Sequence, residues 1–171
     1  MTRLLAVIIL GLWSGVALAD KKPTPTEYTS EGGRYSATFP AKVSTKDDSE
    51  QVATSAGNLS VVTSRCEAGG AVYSVTYTDY PTSFGIVSPK DILDGVVNGM
   101  KGSDGKVATT EDVVVGVAKG RSVTITAGDN TVRAKVLLID ERLYIVMVTG
   151  KKDTTRVPEA DKFLDSFTLT K

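Results

Sequence analysis

The stretch Arg142 to Gly150, RLYIVMVTG, constrains the fold more than any other part of the chain. Successive residues of a strand point to opposite faces of its sheet, so a half-exposed strand alternates apolar and polar side chains. Leu143 to Val148 does not alternate; it is apolar at every position. Any sheet containing it must be covered on both faces.

Two segments are available as covers. Ser88-Pro89-Lys90-Asp91 reads as a helix start, with Ser as N-cap, Pro at the first helical position and an acid in the first turn. Ile92, Leu93, Val96, Val97 and Met100 then make one apolar stripe at helical spacing, with Lys90, Asp94, Asn98 and Lys101 opposite. Val157 to Phe167 is a second amphipathic helix, with Phe163, Leu164 and Phe167 inward. Gly95 and Gly99 lie at the edge of the first stripe, where each costs about 1 kcal/mol relative to alanine. Two readings explain the pair: close packing of the helix on its sheet, or backbone approach to a ligand.

The rest of the chain reads as short strands broken by turn residues. Tyr35, Ala37 and Phe39 alternate with Arg34, Ser36 and Thr38 in RYSATFP, and Gly32-Gly33 supplies the turn of a hairpin with EYTS. Further strands are expected at Glu50 to Ser55, Leu59 to Cys66, Ala71 to Tyr80, Lys106 to Val115, Arg121 to Ala127, Thr131 to Ile139 and Leu143 to Thr149. Turns fall at Ala56-Gly57-Asn58, Gly69-Gly70, Ala118-Lys119-Gly120, Gly128-Asp129-Asn130 and Asp140-Glu141, and a last short strand follows the closing helix. The expected fold class is α+β: a single domain in which an antiparallel β-sheet is sandwiched between helices, α/β/α. A closed β-barrel with peripheral helices is the alternative, because strands outnumber helices.

This order of parts resembles the PsbP/DcrB-like fold family. The resemblance is carried by EGGRYSATFP, the capped helix SPKDILDGVVNGM, the hairpin from Thr131 through RLYIVMVTG, and the closing ADKFLDSFTL, which together span Tyr28 to Leu169. It implies an α/β/α layering and a non-catalytic accessory or adaptor role. It implies no site residues, since the shared motifs are packing motifs. The histidines that bind metal in the photosystem member have no counterpart in a chain without histidine.

MTRLLAVIILGLWSGVALAD has one early positive charge, an apolar run too short for a membrane span, and Ala17-Leu18-Ala19 before Asp20, the pattern of a secretory signal peptide. Residues 1–19 are therefore expected to be a signal peptide and 20–26 a flexible linker, with one domain over 27–171. The protein is expected to be exported, periplasmic or extracellular, with no stable membrane insertion after cleavage. Its 20 basic and 20 acidic residues are interspersed, which gives no surface for nucleic acid.

The absence of histidine removes Ser-His-Asp and Cys-His catalysis, imidazole metal sites and imidazole pH switching. Cys66 is a lone cysteine inside a strand, either a buried inert thiol or the site of an intermolecular bridge. GMKGSDGKV, Gly99 to Val107, lacks the residues a phosphate loop requires at Met100 and Val107, and reads as a polar loop. Ser103 and Lys106 match the bare Ser-x-x-Lys spacing of penicillin-recognising enzymes, but among glycines rather than at a buried helix start. The acidic pairs Asp47-Asp48, Glu111-Asp112 and Asp140-Glu141 read as solvated charge. No cofactor and no metal is expected.

Tyr80 and Phe84, in DYPTSFGIVSP, are aromatics in a loop rich in Pro, Ser and Gly, and form the candidate partner surface; the alternative is that both fold back over the sheet edge. The expectation is an exported, non-enzymatic binding or accessory protein of the cell envelope with an unknown protein partner. A carrier of a small apolar ligand, held where Gly95 and Gly99 leave room between helix and sheet, is the second reading. A hydrolase without histidine is the third.

Overall fold

The computed structural model describes residues 24–54, 57–81 and 87–170. The expected signal peptide, residues 20–23 of the expected linker, and Phe84 lie outside the described residues. Among the described residues the strands form two antiparallel sheets. The smaller pairs β2 (Tyr35–Phe39) with β1 (Thr26–Ser30) on one side and β10 (Thr168–Leu169) on the other.

The larger sheet has seven strands built from two meanders. One runs β3 (Thr45–Thr54), β4 (Gly57–Ala68), β5 (Ala71–Asp79); the other runs β6 (Lys106–Val115), β7 (Ala118–Ala127), β8 (Asn130–Ile139), β9 (Arg142–Lys151). They join where β9 pairs with β5, so the strand order is β3-β4-β5-β9-β8-β7-β6. Because β3 and β6 are free ends, the sheet is open and the barrel alternative fails.

β9 is apolar on both pleat faces because two separate cores flank it. Tyr144, Val146 and Val148 enter a core with Tyr35, Phe39, Tyr73, Val75, Phe163 and Phe167. Leu143, with half-buried Ile145 and Met147, enters a second core with Leu93, Val97, Val123, Ile125 and Val136. Helix α1 (Pro89–Lys101) covers that second face, and the Ser88 hydroxyl accepts a hydrogen bond from the Asp91 N–H at 3.1 Å, the expected cap.

The expected helix on each face is corrected by the opposite layer. Helix α3 (Pro158–Ser166) has nine residues and spans about 14 Å, whereas seven strands extend over about 29 Å. The small sheet supplies the missing cover: Tyr35, Ala37 and Phe39 are buried beside α3 against the large sheet. The layers are thus one helix, a seven-stranded sheet, and a three-stranded sheet carrying α3. A one-turn helix, α2 (Lys152–Thr155), follows β9 and was not expected.

The turn expected at Ala118-Lys119-Gly120 falls instead at Gly116-Val117, since Val115 pairs with Ala118. Gly120 belongs inside β7, where a Cβ would stand 1.9 Å from the Val136 carbonyl oxygen. Its glycine answers a close backbone approach, not a turn. Cys66 is a free, fully buried thiol whose pKa burial pushes up, in keeping with the inert reading.

Candidate functional site

Tyr80 follows the last residue of β5, and its N–H donates to the Glu141 carbonyl at 2.8 Å. That bond fastens it to the β8–β9 turn, whose Asp140 takes a left-handed φ of 49°. The ring packs against the core beneath α1, and burial raises the pKa of its hydroxyl. Tyr80 is thus anchored and half-buried, not a loose loop aromatic.

Three adjoining depressions meet at this ring. The first, about 440 Å³, carries charge at Arg34, Asp79, Arg142 and the Asp140-Glu141 turn, with Tyr144, Ile139 and Leu169 completing its lining. The second, about 290 Å³, lies between that turn and the start of α1 at Val87, Pro89 and Ile92. The third, about 220 Å³, is an apolar groove floored by Val61, Leu143 and Ile145, with Val96 of α1 on one side and Val52 and Leu59 on the other.

Arg142 organises this charged cleft. It faces Asp79 across the β5–β9 pairing, and its Nε and a terminal nitrogen donate to the two carboxylate oxygens at 2.5 and 2.7 Å. Its other terminal nitrogen donates to the Gly32 carbonyl at 2.8 Å, and its guanidinium carbon lies 4.9 Å from the centre of the Tyr77 ring. The Tyr144 hydroxyl donates to the Gly33 carbonyl at 2.9 Å. Neighbouring side chains of β9 therefore hold the β1–β2 turn of the small sheet against the large one. The guanidinium keeps the Asp79 carboxyl below the usual range, and the carboxylate raises the Arg142 pKa in return.

Gly95 and Gly99 do not line this site. Both are exposed, and a Cβ added at either meets no atom within 4 Å, so they neither bring α1 closer to the sheet nor open room beneath it. The groove beside α1 exists for another reason: the helix lies over β7 and β8 and stops short of β4 and β5. Arg142 and Asp79 were not singled out from the sequence. The signal that finds them is opposite charge at the ends of two strands that pair, and it becomes readable only once β5 is known to lie beside β9.

The chemically suggestive residues stay apart from this cleft or exposed. Ser103 and Lys106 are exposed, in the turn after α1 and at the start of β6. Asp47, Asp48, Glu111, Asp112, Asp140 and Glu141 are all exposed. No group of three or more His, Cys, Asp or Glu residues placed to hold a metal occurs among the described residues. Among the described residues no helix is long and apolar enough to cross a membrane. What the Tyr80 region offers is a charged rim beside an apolar groove, a surface suited to holding a molecule.

No protein family profile and no characterised protein matches the sequence. Among solved structures, the chain is similar to the solution structure of cyanobacterial PsbP (CyanoP) from Synechocystis sp. PCC 6803, with a TM-score of 0.55 and 15% identity, over 94% of this chain and 98% of that one. A second match, a protein of unknown function, PA94, from Pseudomonas aeruginosa, titled a putative regulator, has a TM-score of 0.39 and 14% identity over 77% of this chain and 85% of that one. The first establishes a PsbP-like fold.

Proposed function

From a PsbP-like fold, we propose that the protein is an exported, non-enzymatic binding or accessory module of the cell envelope. The observation that supports the reading is the convergence of a charged cleft and an apolar groove on one anchored aromatic, Tyr80. Amphipathic rings of this kind supply contact area with a polar tip at recognition surfaces. The signal-like opening of the sequence supports export.

The test compares affinity capture from envelope extracts by the wild type, Tyr80→Ala and Glu141→Lys. A species recovered with the wild type and lost with both variants, at unchanged circular dichroism, is the expected result. Equal recovery by all three refutes the Tyr80 surface.

The apolar groove supports a second reading, carriage of a small apolar ligand between α1 and β4, β5 and β9. Its volume of about 220 Å³ limits the occupant to a few carbons or one end of a longer chain. Native mass spectrometry of protein purified from its own host should show a bound species that Val61→Arg displaces; an empty wild-type protein ends this reading.

A further inference from the structure

The free edge of β6 sets it apart from the rest of the large sheet. Every residue from Lys106 to Asp112 is exposed. The large apolar side chains exposed at the described surface are Val107, Val114 and Val117, all on β6 or its turn, at 38%, 67% and 75% exposure. No described strand pairs with the outer side of β6. A long unpaired edge that exposes valines is a template for another strand.

The opposite edge is blunted. β3 has a register shift between Thr45 and Asp48, a left-handed Asp47, and charge at Lys46, Asp47, Asp48 and Glu50. β6 has one irregularity, at Ala108, and keeps continuous register with β7 from Thr109 to Val115.

We propose that β6 is an interaction surface for a second copy of this chain, the two β6 strands pairing antiparallel about a two-fold axis centred on Thr109. A two-fold axis normal to a sheet must pass between a residue and its own copy, so each allowed register is named by the residue that faces itself. Centring on Glu111 or Asp112 sets like charges opposite each other, which opposes pairing. Centring on Thr110 sets Lys106 opposite Val113.

Centring on Thr109, with Ala108 as the extra residue of the bulge, sets Lys106 opposite Glu111 of the second copy, and the symmetry makes this match twice. Lys106 and Glu111 lie on the same face of the sheet, since they pair with Thr126 and Ser122, even-numbered neighbours along β7. Neither enters an ion pair among the described residues, whereas Asp112 approaches Arg121 at 3.9 Å. The same register lays Val107 beside Thr110 of the second copy. The overlap is short, so the dimer is weak and forms with rising concentration.

Sedimentation velocity of the mature protein from about 10 µM to about 1 mM is expected to show a monomer–dimer shift. Glu111→Lys should weaken dimerisation about tenfold, and Lys106→Glu combined with Glu111→Lys should restore it. Thr109→Cys should give a disulfide-linked dimer under mild oxidation, because facing Cα atoms of an antiparallel pair lie within disulfide reach. Val117→Cys, at the turn, should not, and buried Cys66 stays out of the reaction. A strictly monomeric wild type overturns the proposal. So do a dimer insensitive to Glu111→Lys, a double variant as weak as the single one, and equal cross-linking of Val117→Cys.

Discussion

Arg142 and Asp79 face each other at the end of the β5–β9 pairing and are joined by two hydrogen bonds of 2.5 and 2.7 Å. Because Arg142 also holds the Gly32 carbonyl, the pair links the two meanders and the small sheet at one point.

The folded state keeps the Asp79 carboxyl below its ordinary value of 3.8, chiefly through the Arg142 hydrogen bonds. On acidification the unfolded chain takes up this proton first, so the stabilisation is complete above about pH 4 and is lost as pH falls through the folded value. Urea titrations should show the wild type losing stability more steeply than Asp79→Asn between about pH 4 and pH 2. The Asp79 side chain is 58% exposed, which holds the difference to about 1 kcal/mol or less. Parallel pH profiles for the two proteins would show that the pair contributes nothing.

Gly95→Ala and Gly99→Ala should each stabilise the protein. An added Cβ meets open space at both positions, and alanine in a helix interior is favoured over glycine by about 1 kcal/mol. Thermal melts should move upward for each variant; a fall would mean that these glycines face something after all.

Gly33→Ala should do the reverse. Its Cβ would stand 2.6 Å from a Tyr35 ring carbon and 2.7 Å from the Ser30 hydroxyl oxygen, which already accepts from the Gly33 N–H at 2.9 Å. Both neighbours are buried, so the expected cost is about 1–3 kcal/mol by urea denaturation.

The Tyr35 hydroxyl is wholly buried and makes no hydrogen bond of good geometry among the described residues, and burial raises its pKa. Tyr35→Phe removes an unsatisfied polar group while keeping the ring stacked on Phe167 at 5.6 Å. Stability should stay level or rise by up to about 1 kcal/mol. A clear loss would reveal a water or side chain bonded to that oxygen.

Asp47 is exposed, yet its carboxylate accepts from the hydroxyls of buried Ser30 and Ser64, each at 2.9 Å. These bonds tie the β1–β2 hairpin to the edge of the large sheet. Asp47→Ala should cost about 1–3 kcal/mol, because two buried hydroxyls lose their acceptor. Chemical denaturation measures this directly, and a neutral result would mean that both hydroxyls find other acceptors.

Helix α1 was legible down to its cap because its cues, Ser88, Pro89 and a stripe at helical spacing, are local. The double covering of β9 was legible for the same reason, as Leu143 to Val148 states it residue by residue. What covers the face of Tyr144, Val146 and Val148 was not, since nothing near Tyr35 or Phe39 says that their hairpin packs on a strand more than a hundred positions away. Gly120 misled because a glycine under a neighbouring backbone and a glycine in a turn look alike in sequence. Tyr80 stood out as a loop aromatic, but the cleft beside it depends on Arg142 meeting Asp79 across the sheet.

The pairing of β5 with β9 also carries a lesson about timing. Tyr73 and Val75 leave the ribosome well before the strand that shelters them and the α3 rings that complete their surroundings. Ala71 meets Gly150 only after a long loop has closed, a slow step for any chain. A nascent chain of this design cannot lock before β9 has emerged, and it needs shelter from its neighbours until that strand arrives.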